Sequence, residues 1–155
     1  MFAPLLAALA LAHPAVPVKA VFVPGKSLAG VRLGDTQASV DRRFGTSRPC
    51  ATCVGAVSIY IRADGVPALA VAFRQARVVA VTTMGGQIGW RTPEGLIVGQ
   101  GIDRIREVYG ALSWRLCVGY GALTMRRAAA VTTIYTTGDV VYGFGLSLPG
   151  EPVCR

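Results

Sequence analysis

The chain is short of the side chains that most enzymes work with. Among its 155 residues there is one histidine, His13, and it lies in an N-terminal apolar stretch. Downstream of it no imidazole is available to activate a serine or cysteine, or to bind zinc. Carboxylates number eight: Asp35, Asp41, Asp64, Glu94, Asp103, Glu107, Asp139 and Glu151. Asp35 reads as a helix cap, Asp41 and Glu107 as exposed helix-face residues, Asp103 as a first-turn residue, and Asp64 and Asp139 as turn residues. None is paired for acid–base work. There is no Gly-x-Ser-x-Gly elbow and no phosphate loop ending in Gly-Lys-Ser/Thr. The chain is therefore read as non-enzymatic, with no catalytic residue, no metal ligand and no cofactor assigned. After the first residues no apolar run reaches the roughly 18 residues of a membrane span.

Lysine is scarce as well. The net charge of +8 rests on 14 Arg against 2 Lys. The arginines are scattered, without the interleaved aromatics of a nucleic-acid groove. A solvated basic surface is expected, with no specific nucleic-acid partner and at most a weak attraction to anionic envelope surfaces.

What is present is apolar residues (52%) and glycine (19 residues), a composition that suits strands and tight turns. Residues 2–20 read as a secretory leader, and residues 1–20 are set apart as a signal peptide. Ala10-Leu11-Ala12 and Ala15 supply small residues behind the short apolar stretch. The four cysteines, Cys50, Cys53, Cys117 and Cys154, are an even count for a small exported chain and point to disulfides. Of three pairings, Cys50–Cys53 with Cys117–Cys154 is favoured, because the second ties the C-terminal tail to the sheet. Cys50-Ala51-Thr52-Cys53 also has the spacing of a redox motif. It is preceded by Pro49 and followed by a strand rather than a helix, so a structural bridge is the better account.

One pattern occurs twice, 65 residues apart. Gly30, Gly34, Thr36, Val40, Phe44 and Gly45 mark the first copy; Gly95, Gly99, Ile105, Tyr109 and Gly110 mark the second. A fixed period signals two copies of one supersecondary unit, here assigned to residues 26–90 and 91–155. In each copy a short extended piece leads into a helix, about Gln37–Phe44 and Ile102–Tyr109, closed by Gly45 or Gly110. Thr36 or Asp35 is the first helix's cap. Strands are expected at Ala56–Arg62, Pro67–Arg74 and Arg77–Thr83, then near Leu116–Arg126, Ala129–Thr136 and Val140–Ser147. The fold class is α+β: two tandem helix-plus-antiparallel-meander units, joined edge to edge into one sheet with both helices on one face. Gly99-Gln100-Gly101 is half of a dinucleotide fingerprint and is read as chance.

The Gly, apolar, Gly, Thr, apolar, aromatic, Gly pattern resembles that of small exported modules of the β-lactamase inhibitory protein type. The outer-membrane lipoprotein of the barrel-assembly machinery belongs to the same group. The resemblance covers about residues 26–148 and implies a continuous antiparallel sheet that serves as a scaffold for binding another protein at the cell surface or outside the cell. It also implies contacts from hairpin loops, for which Asp64 and the Arg126-Arg127 turn are the candidates. The expected function is a secreted or cell-envelope protein-binding module. The alternatives are a secreted enzyme inhibitor and a thiol–disulfide protein using Cys50 and Cys53. Oligomeric state is not legible in the sequence.

Overall fold

The structure, a computed structural model, describes residues 14–127 and 129–155. Helix α1, Gln37–Phe44, starts where the sequence supplies a cap. Thr36 is extended, and its Oγ1 accepts from the Ser39 N–H at 3.2 Å, satisfying a donor the first turn leaves free. Gly45, at φ 84°, ends the helix with its N–H on the Asp41 carbonyl. Helix α2, Asp103–Tyr109, lacks a side-chain cap: Ile102 precedes it in helical geometry. Val40 and Phe44 of α1 and Ile105 of α2 are buried in one core.

The strands are β1 (Phe22–Val23), β2 (Ser27–Leu28), β3 (Arg48–Pro49), β4 (Val57–Ile61), β5 (Pro67–Arg74), β6 (Arg77–Thr83), β7 (Ser113–Cys117), β8 (Tyr120–Arg127), β9 (Ala130–Thr137) and β10 (Val140–Ser147). β1 and β2 form a small hairpin. The other eight make one antiparallel sheet in the order β3-β4-β5-β6-β10-β9-β8-β7. Its central seam is β6 against β10, with Thr82 opposite Gly145 and Ala80 opposite Ser147.

The register sorts side chains onto two faces of different bulk, because successive residues of a strand alternate. One row runs through Ser58, Val71, Val81, Leu146, Thr132 and Met125. Together with Phe144, Ile134 and Leu123 it faces the helices. Phe22 stacks on Phe144 there, ring centres 4.9 Å apart, and Trp90 is fully buried. The opposite row runs Arg48, Ile59, Ala70, Thr82, Gly145, Thr133, Thr124 and Ser113 across all eight strands. Between its outermost residues nothing larger than Ile59 stands, so the middle of this face is hollow, with a small apolar cluster on either side of it, one at Cys50 and Cys53 and one at Cys117 and Cys154.

Several expectations change. Gly30–Gly34 is a turn rather than an extended piece. The strand expected near Leu116–Arg126 is two strands broken at Val118-Gly119, and β3 adds a short edge to the first meander. Gly119 at φ 83° makes the break. Ile102, expected as the first residue of the second helix, is exposed and precedes it. Asp35 does not cap α1; its Oδ2 accepts from the Arg32 N–H at 2.9 Å.

The leader reading falls largely on residues 2–13, which lie outside the described residues. Residues 14–20 are built into the body. Val16 is buried and its N–H meets the Ile61 carbonyl at 3.1 Å, while the Trp90 indole N–H donates to the Val18 carbonyl at 3.0 Å.

Candidate functional site

The hollow face of the sheet holds a trough of ≈ 580 Å³. Its floor is Ala70, Ala72, Ala80 and Thr82 from the middle of β5 and β6. Tyr135 and Tyr142 stand at its sides. Gly145 makes room for the first of these: a Cβ on it would lie 2.9 Å from the Tyr135 ring and 3.2 Å from the Thr82 methyl. Gly145 thus leaves the space that the Tyr135 ring occupies.

Both disulfides frame this trough. Cys50–Cys53 closes the loop between β3 and β4, and its sulfurs pack on Val57 and Ala72. Cys117–Cys154 spans 37 residues and draws the tail onto Tyr135, Ala122 and Tyr120. The tail is held further by the Tyr135 hydroxyl on the Val153 carbonyl at 2.9 Å, and by the Tyr120 hydroxyl, which donates to the Arg155 carbonyl and accepts from the Arg155 N–H. Glu151 in the tail pairs with both Arg74 and Arg155. Burial pushes the Tyr135 phenol well above its ordinary range, so the bond to Val153 is made by a neutral hydroxyl over all ordinary pH.

The sequence-predicted site residues separate into three places. All four cysteines are here, paired as favoured. Asp64 lies in the β4–β5 turn, exposed, and is bound by the Arg62 guanidinium. That hydrogen bond holds its carboxyl below the usual carboxylate range. Arg126 and Arg127 lie in the β8–β9 hairpin at the opposite end of the strands, as the pairing of β6 with β10 requires. They also face opposite ways. Arg126 is in register with Val131 and Ser147 on the hollow face; Arg127 lies over the Tyr109 ring at 5.6 Å on the helix face, near Glu94. The two candidate loops thus do not form one surface.

The repeat-pattern glycines and apolar residues serve the fold. Gly34 and Gly99 have positive φ, and their N–H groups join the Val78 and Val141 carbonyls at 2.8 Å. Asp41, expected on an exposed helix face, instead accepts from the buried Tyr60 hydroxyl at 2.7 Å. Burial and this bond push the Tyr60 phenol strongly upward. Tyr109 is raised to about 12, chiefly by burial. Burial pushes its partner Glu94 up, but the Tyr109 hydroxyl at 2.9 Å, its own backbone N–H, the Thr92 hydroxyl and the Arg127 charge together outweigh that, and the carboxyl sits below its ordinary value.

What sequence reading missed is the trough itself. Its floor residues are Ala and Thr, which carry no chemical signature; only their alternation with Leu, Val and Phe along each strand marks them as the thin face. No protein-family model, no curated protein and no solved structure matches this chain.

Proposed function

We propose that the protein is a non-enzymatic binding module, secreted or exposed at the cell envelope, and that the hollow face of its sheet receives another protein. The carrying observation is the trough: an apolar concavity of the size of ordinary binding sites, on the sheet face opposite the helices, fixed at both ends by disulfides. A covalently pinned surface loses little conformational freedom on binding. The disulfides are compatible with an extracellular or envelope setting.

The same proposal includes a tandem origin. The strand order on one side of the β6–β10 seam is the reverse of that on the other, and each glycine pattern precedes one helix and one meander. This order supports reading residues 26–90 and 91–155 as two units of the β-lactamase inhibitory protein type. The proposal keeps a leader and ends it before Val16, because Val16 and Ala20 are buried in the core.

The test is site-directed photo-crosslinking. A photoreactive residue replaces Tyr142 at the trough, or Arg42 on α1 as control, and the folded protein is exposed to native cell-surface extract. The expected outcome is a protein captured from position 142, displaced by unlabelled protein and not captured from position 42. Equal capture from both positions, or none, overturns the reading.

A further inference from the structure

The hollow face carries nearly all of one sign of charge. Arg48 is in register with Ile59, Arg115 with Ala122, and Arg126 with Val131, so all three share this face. Arg74 reaches Glu151 in the tail, and Arg155 ends the tail beside Tyr120. Among the described residues these five cations face a single side-chain carboxylate, Glu151, which is mostly buried and already held by Arg74 and Arg155. The other carboxylates are elsewhere. Asp35 and Asp41 belong to α1 and the turn before it, Asp103 and Glu107 to α2. Glu94 is on Tyr109, Asp64 is in the β4–β5 turn on Arg62, and the Asp139 carbonyl receives the Ile102 N–H before α2.

The cations flank the trough on both sides. Arg48 stands on one outer strand and Arg115 on the other, seven strand spacings apart, about 33 Å. Between them the surface is apolar, and its tyrosine hydroxyls at positions 120 and 135 are engaged by the tail. The centre therefore offers mainly apolar contact, with the Thr82 and Tyr142 hydroxyls beside it, and the rim offers positive charge. Two other anionic partners fit less well. A flat bilayer meets ridges and cannot reach the floor of a trough. A single-stranded nucleic acid needs a row of exposed rings for stacking, whereas Tyr120 and Tyr135 meet edge to face at 5.7 Å and are packed under the tail.

Resting on the reading of this face as a protein-binding surface, we propose that the partner is an acidic chain segment of another protein. One of its apolar side chains fills the trough between the two disulfides, and its Asp and Glu residues on either side meet Arg48, Arg115 and Arg126. Opposed charges of this kind steer encounter and fix register, while the buried apolar group supplies the anchor.

The probe is a synthetic peptide with a central Trp-Leu pair flanked by Asp and Glu, titrated into the full-length, disulfide-intact protein and followed by amide NMR. Saturable shifts are expected at Ala70, Ala72, Thr82 and Tyr142. Affinity should fall at least about tenfold as ionic strength rises from ~0.05 to ~0.5 M. The same peptide with Lys for every acid, or with Ser for the Trp-Leu pair, should bind at least about tenfold more weakly. A triple variant, Arg48→Glu, Arg115→Glu and Arg126→Glu, should lose the acidic peptide; all three positions are exposed, so an unchanged thermal transition is expected alongside. The proposal is overturned by equal binding of the Lys peptide, by shifts confined to the helix side, or by no shift at all. It is likewise overturned if heparin or phosphatidylserine vesicles shift these residues and the acidic peptide does not. Crosslinking from position 142 with no acidic-peptide binding would remove this inference and leave the binding-module reading standing.

Discussion

At the scale of single residues, polar groups inside the protein are matched rather than merely tolerated. Tyr60 is fully buried, and its hydroxyl is satisfied by Asp41. Replacing Tyr60 with Phe removes a hydrogen bond to a charged group and is expected to cost about 1.5–3 kcal/mol, measured by denaturant unfolding at neutral pH. The same residue sets a pH dependence. Its phenol is raised, so the folded state keeps a proton that tyrosine in the unfolded chain releases near pH 10. The stability from this difference is complete below about pH 10 and is lost as pH rises toward the folded value. Wild type should weaken steeply above about pH 10 and Tyr60→Phe less so; parallel slopes would show that Tyr60 is not the group responsible. Gly145→Ala should also be destabilising, because a methyl there collides with Tyr135 and Thr82 and the overpacking costs about 1–3 kcal/mol.

At the scale of elements, the two disulfides do different amounts of work. Loop-closure entropy assigns about 2 kcal/mol to a three-residue separation and about 4 kcal/mol to one of 37. Cys117→Ser with Cys154→Ser should therefore lower stability roughly twice as much as Cys50→Ser with Cys53→Ser, and should expose Tyr120 and Tyr135 to solvent quenchers. The segment Val16–Ala20 is a second such tie. A chain beginning at Pro14 keeps this tie. One beginning at Val21 loses the burial of Val16 and three hydrogen bonds, to Ile61, Trp90 and Arg91, and should be weaker by about 3–5 kcal/mol. Equal midpoints for the two truncations would show that this segment does not belong to the folded body.

For the molecule as a whole, one core joins residues from Val16 to Leu146, including both helices and the β1–β2 hairpin. Such sharing couples everything that rests on it. Calorimetry and the fluorescence of buried Trp90 should report one coincident unfolding transition. Two separated transitions would mean that residues 26–90 and 91–155 fold independently.

The local pattern of residues determined the elements. Thr36 with Gly45 bounded α1 to the residue, because a cap is satisfied within one turn of chain. Asp64-Gly65 and Gly138-Asp139 placed two hairpins, since turn geometry is a property of a few adjacent residues. The cysteine pairing was legible for a related reason: Cys50 and Cys53 are close along the chain. Tertiary structure alone decided the rest. That Asp41 serves Tyr60, and that Arg126 shares a face with Ser147 while Arg127 lies over Tyr109, follow from register and packing between segments distant in sequence. The trough is the fullest case. Ala70, Thr82, Gly145 and Thr133 are unremarkable singly and become a site only when eight strands align them in one row, and no short stretch of sequence encodes that alignment.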